Sequence, residues 1–157
     1  MYTIAARRKL QWKRGTTLED LSIEGRTFKA ELGADVCQSC GEALVTADEL
    51  GRFEVAVAVE LARGGAQSGE AIKFMRKAVG LRARALAELL DIAPETLSRW
   101  ETGADDRTAP RAYVVMLEAA VLEHAAGSSA TLDRLRALRE EPTALGSVVR
   151  IDLGAAA

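Results

Sequence analysis

The segment from Gly69 to Gly103, GEAIKFMRKAVGLRARALAELLDIAPETLSRWETG, carries the strongest structural signal in the chain. Ile72, Met75 and Val79 recur at helical spacing, and Gly80 ends that first helix. Leu86, Ala87 and Leu90 form a second apolar face, on which the small Ala87 lets another helix cross closely. Asp91-Ile92-Ala93 is too short for anything but a turn. Pro94 suits the first position of a third helix, with Glu95 near its positive end. In that helix Leu97 and Trp100 point inward, which leaves Glu95, Thr96, Ser98 and Arg99 outside. Three short helices with a tight turn before the last present one helix to the major groove of DNA. Short hydrogen-bonding side chains plus an arginine suit base-edge and phosphate contacts.

These residues resemble the helix-turn-helix of the Cro/phage-repressor (XRE) family. The similarity runs from Leu81 through Leu86-Ala87 and Ile92 to Thr96-Leu97-Ser98-Arg99-Trp100-Glu101 and Gly103. It implies double-stranded operator DNA as a partner, and an ion pair between Arg76 and Glu101 that positions helices more than it stabilises them. The candidate base-reading residues are Glu95, Thr96, Ser98 and Arg99; Arg82, Arg84, Thr102 and Arg107 are candidates for phosphate contacts. Two positions depart from the family. Ala83 stands where a glutamine usually contacts the DNA backbone, and Asp105-Asp106 precede Arg107 and Arg111 in a loop that is often basic. From Ser68 to Ala112 there are eight Lys or Arg against seven Asp or Glu. Phosphate neutralisation supplies much of DNA affinity, so a single such unit binds weakly and a dimer or a further basic element is expected. The same pattern also suits a helix-turn-helix kept only for packing.

Bulk properties narrow the classes. A net charge of −2 over 157 residues excludes a generally basic nucleic-acid coat but not a local basic face. Aromatic residues are 4%, too few for stacking recognition of single strands. No apolar run approaches the roughly 20 residues of a membrane span, and MYTIAARRKLQWKR lacks a signal peptide's apolar core. A cytoplasmic protein is expected.

Outside the central segment, residues 1–14 are basic, with Arg7, Arg8, Lys9, Lys13 and Arg14 around Trp12. They read either as a flexible arm along DNA or as a solvated first strand. TTLEDLSI and RTFKAEL alternate apolar and polar residues about a Glu24-Gly25 turn, which predicts a β-hairpin. Thr46 is the expected cap of a helix bearing Leu50, Phe53, Val57 and Leu61 on one face. Gly64 to Gly69 reads as a linker. Pro110 opens a helix with Tyr113, Leu117, Val121 and His124 along one side. A last helix spans Ala130 to Glu141 with a stripe of Leu132, Leu135 and Leu138, and SVVRIDL suggests a short terminal strand. His124 is more simply a partner of the helix dipole than a ligand.

Cys37-Gln-Ser-Cys40-Gly41 has the shape of a zinc knuckle, yet a closed structural site wants four ligands and the chain holds two cysteines and one histidine. A hairpin, a CxxCGE knuckle, a helix and a C-terminal helix-turn-helix is an order similar to MqsA-type antitoxins, whose N-terminal half is a YgiT-type zinc finger. The similarity covers VCQSCGEALVTADELGRFEVAVA, EAIKFMRKAVGL and ETLSRWETG. The family's earlier CxxC is replaced by ARRKLQWKR. The site has then decayed, with Leu18, Leu21, Ile23, Phe28 and Val36 holding the fold. Otherwise two chains share one zinc through Cys37 and Cys40, or the thiols form a disulfide or stay free.

The expected fold is mainly α, with a small β-hairpin N-terminal domain and a C-terminal five-helix XRE-like domain. The boundaries are 1–63 for the first domain, 64–69 for the linker, 70–142 for the helix-turn-helix domain and 143–157 for a tail. The expected function is a DNA-binding transcriptional regulator and antitoxin-like autorepressor, a homodimer joined through the helices at 110–140, with a cognate toxin as a further partner. A free-standing regulator without a toxin and a protein–protein adaptor are the alternatives. No serine, cysteine or carboxylate stands in a recognisable catalytic setting, so no enzymatic activity is expected.

Overall fold

A computed structural model describes residues 11–104, 108–140 and 151 of the chain. Strands β1 (Trp12–Ile23) and β2 (Arg26–Cys37) form an antiparallel hairpin whose register runs from Ile23↔Arg26 at the turn to Trp12↔Cys37 at the open end. The turn is Glu24-Gly25, with φ of 53° and 72°. Two consecutive left-handed residues match the right-handed twist of the flanking strands, and only a glycine adopts that conformation at no steric cost. A short strand β3 (Ala43–Val45) adds to the free edge of β2 through Ala34↔Val45 and Val36↔Ala43.

The hairpin decides between two readings of the basic segment and corrects one expectation for the core. Lys13 and Arg14 lie within β1, so that part of the basic segment is strand rather than flexible arm. Residues 7–10 fall outside the described part. Leu18 is 67% exposed and does not join the core. Side chains alternate across a strand, so Leu21 and Ile23 share one face with Phe28 and Val36, and Leu18 takes the other.

Six helices follow. Helix α1 (Ala47–Arg63) is capped by Thr46, whose hydroxyl accepts the Glu49 N–H at 3.3 Å, and Asp48 and Glu49 sit at its positive end. Phe53, Val57 and Leu61 are buried as the periodicity predicts, while Leu50 at the rim stays exposed. After α1 come α2 (Gly69–Ala78), α3 (Ala83–Leu89), α4 (Pro94–Thr102), α5 (Arg111–Ala125) and α6 (Ala130–Ala137). The helical part is not a separate five-helix body, because α1 packs on both α2 and α5. One continuous core runs from Ile23 and Leu32 through Phe53 and Leu61 to Met75, Leu97, Leu117 and Leu132.

Residues 64–69 form a compact connection in which Ala66 is buried and Ser68 caps α2 by accepting the Ala71 N–H at 3.1 Å. The hairpin tip is bound to this point. The Ser68 N–H donates to the Glu24 carboxylate at 3.1 Å, and the Glu24 N–H donates to Glu70 Oε2 at 3.0 Å.

Helix α6 ends at Ala137, a turn earlier than the sequence suggests, and Leu138 is 64% exposed. Leu132 is buried in the chain's own core and Leu135 packs against it, so most of the leucine stripe expected to seek a partner is already covered. The expected terminal strand falls outside the described residues except for Ile151, which is exposed and in no strand.

Candidate nucleic-acid interface

Helix α3 is capped at Leu90, and Asp91 takes a left-handed conformation with φ of 53°. The Ile92 N–H then reaches back to the Ala87 carbonyl at 3.0 Å, which closes the helix end and reverses the chain. Aspartate tolerates this conformation better than most residues, and here it takes the place of a glycine. Ala93 is extended, Pro94 supplies a preset φ at the first helical position, and α4 runs to Gly103, left-handed at φ 67°. The tight turn and the start of α4 therefore have local causes.

What holds α4 in place is buried. Leu97 is fully buried, and the Trp100 ring packs on Tyr113 with centroids 5.3 Å apart and planes tilted by 44°. Arg76 and Glu101 form a two-pronged ion pair, with Nε to Oε1 at 2.5 Å and Nη2 to Oε2 at 2.9 Å. Their side chains are 6% and 5% exposed. Arg76 Nη1 also donates to the Leu81 carbonyl at 2.6 Å, so one guanidinium joins α2, the connection to α3 and the end of α4. Its hydrogen bonding to the Glu101 carboxylate outweighs the cost of burial and holds Arg76 above its ordinary pKa. Burial pushes the Tyr113 hydroxyl well up, and its oxygen finds no partner among the described residues.

The outward side of α4 presents Glu95, Ser98, Arg99 and Thr102 to solvent, with Thr96 half-buried beside them. Thr102 is less available than the sequence suggests. Its hydroxyl donates to the Ser98 carbonyl at 2.8 Å, so its proton is committed inside the helix and must swing out to meet a phosphate. Arg82 is exposed at the N-cap of α3. Arg84 is exposed and pairs with Glu88 at 3.0 Å, a surface contact weak enough to exchange for a phosphate. Arg107 lies outside the described residues. Arg111, at the start of α5, is also exposed.

Two contacts that build this site escape sequence reasoning. Gly69 lies so close to the end of α4 that a Cβ there would sit 2.5 Å from the Trp100 carbonyl oxygen and 2.6 Å from that of Glu101. The bond between Arg76 and the Leu81 carbonyl is the other. A glycine at a helix start followed by a glutamate is too common a pattern to announce the first.

The cysteine knuckle stands apart from this surface. The Cys37 N–H donates to the Glu42 carbonyl and the Gly41 N–H to the Cys37 carbonyl, both at 2.8 Å. Cys37 is buried and Cys40 exposed, both as free thiols. Hydrogen bonds from the Ser39 backbone and then from Cys40 hold the Cys37 thiol below its ordinary pKa. No third potential ligand joins the pair among the described residues. His124 is exposed in the last turn of α5. Among the described residues the knuckle thus brings together two of the four donors that a closed zinc site needs.

Residues 72–120 match a family model described as helix-turn-helix, the type found in XRE proteins. The matched segment begins in α2 and ends in α5, so it contains α3, α4 and the Arg76–Glu101 pair, with Gly69 lying just before it. No curated protein matches the chain. The match supports DNA binding and transcription regulation as the functional class. No described helix is long and apolar enough to cross a membrane.

Proposed function

We propose that the chain is a sequence-specific, cytoplasmic autorepressor that binds a palindromic operator as a homodimer. Two α4 helices about 34 Å apart would enter successive major grooves. The observation that carries this reading is the solvent-facing polar edge of α4, held rigid from behind by the Arg76–Glu101 pair. Glu95, Thr96, Ser98 and Arg99 read base edges; Arg82, Arg84 and Arg107 contact phosphates, joined by Thr102 once its hydroxyl swings outward. The near-neutral charge of the domain fits a protein that gains affinity by doubling its contacts.

The order of hairpin, CxxCGE knuckle, helix and helix-turn-helix supports an antitoxin-like role in a toxin–antitoxin operon, in which the N-terminal half sequesters a toxin. The incomplete cysteine set favours a second reading, a free-standing regulator whose N-terminal half serves assembly. Titrating the protein against the DNA upstream of its own reading frame at two salt concentrations tests the shared claim. A regulator binds that DNA in preference to a scrambled duplex, and affinity falls as salt rises. Equal, weak binding to both duplexes would point instead to an adaptor that uses the helix-turn-helix for packing.

A further inference from the structure

We infer that two copies of this chain pair through antiparallel α1 helices, which extends the proposed dimer to a specific surface. An open groove of about 900 Å³ runs along α1, floored by Ala47, Gly51, Val55 and Val59 and closed on one side by Ala78 of α2 and Ala125 of α5. These floor residues follow one another at four-residue steps, and the absence of a side chain at Gly51 lets a second helix approach closely.

The flank of the groove says what covers it. Glu49, Arg52, Ala56, Glu60 and Arg63 follow spacings of three, four, four and three, which keeps them on one side of the helix. Their charges run negative, positive, neutral, negative, positive. Reversed about Ala56, the series becomes its own complement. In an antiparallel pair centred on Ala56, Arg52 meets Glu60 of the second copy and Glu49 meets its Arg63, each contact occurring twice. An isologous interface requires this self-complementarity, because the same patch must serve as both partners. A helix of unrelated sequence would not require it.

Asp48 and Glu54 also line the groove and fall level with Gly64 and Ala58 of the second copy, so no acid is set opposite an acid. In the single chain, Arg52 reaches Glu49 at 3.2 Å and Arg63 reaches Glu60 at 3.1 Å. Pairing would join these two bridges into one network. Arg52 and Arg63 remain 79% and 66% exposed, able to turn toward a neighbour.

Sedimentation equilibrium of the full chain without DNA tests this, so its outcome is independent of the operator reading. Arg52→Glu and Glu60→Arg alter exposed side chains. Each turns two attractive contacts into two repulsions, and each should raise the dimer dissociation constant about tenfold. An equimolar mixture of the two variants, one carrying a fluorophore, should regain wild-type affinity as a heterodimer. In that heterodimer every acid at positions 52 and 60 faces an arginine, whereas each variant's homodimer sets like charges together. A monomeric wild type, variants that dimerise like wild type, or a mixture that regains nothing would each overturn the inference.

Discussion

Glu101 closes the last turn of α4 by gripping Arg76 of α2 through two hydrogen bonds inside the core, and the Arg76 guanidinium reaches on to the Leu81 carbonyl. A helix of nine residues is too short to hold its own shape in water. Its orientation therefore depends on what is attached behind it. Leu97 supplies apolar contact and the ion pair supplies direction.

Removing the carboxylate leaves a buried cation without a counter-charge. Glu101→Gln should destabilise the fold by about 3–5 kcal/mol in urea unfolding. The double change Arg76→Met with Glu101→Leu should cost less than the single one, because the desolvated charge disappears with its partner. Equal losses in the single and double variants would show that the pair contributes only shape.

Gly69 tests the same support from the other side. A methyl group there meets two backbone carbonyls of α4, which cannot move aside as a side-chain tip can. Gly69→Ala should cost about 2–3 kcal/mol of stability, at the upper end of overpacking effects, and should weaken DNA binding by shifting α4. An unchanged melting temperature would mean that the two helices separate easily.

Access rather than acidity should govern the thiols. Cys40 is exposed and Cys37 is 1% exposed, so a brief alkylation of native protein should label Cys40 alone, with Cys37 reacting on unfolding. Since each knuckle gathers two donors among the described residues and not four, a chelator should leave the melting temperature unmoved. Simultaneous labelling of both cysteines, or a fall in melting temperature with chelator, would contradict this.

Phosphate contacts are read in salt dependence. Arg82→Ala and Arg84→Ala should each lower the log–log salt slope by about 1 and weaken all sequences alike. Thr102→Ala should change that slope little, because a neutral hydroxyl releases no counterion when it meets a phosphate. A larger effect at Thr102 than at Arg82 would reverse the assignment.

The features legible in the sequence are those with local causes. Glu24-Gly25 between alternating runs gave the hairpin turn, Thr46 gave a cap, and Pro94 with Leu97 gave α4 and its buried side. Failures come from pairings across long intervals. Leu18 and Leu21 look equivalent as apolar letters, but their odd spacing puts them on opposite faces, and the strand register makes the choice. The basic run allowed an arm or a first strand, and the pairing of Trp12 with Cys37 makes that choice for its last residues. The Glu24 contacts to Ser68 and Glu70 span more than forty residues and follow from where the hairpin lands on α2. In the site, exposure of Glu95, Ser98 and Arg99 follows from helical period; the bond that occupies Thr102 does not.

The most direct measurement is the base preference of the Arg99→Ala variant, selected from a randomised duplex library beside wild-type protein. A loss of about 1–3 kcal/mol on the wild-type site, with relaxed preference confined to one or two base pairs per half-site, is the result that α4 in the major groove predicts. Unchanged affinity and an unchanged selected sequence would contradict it.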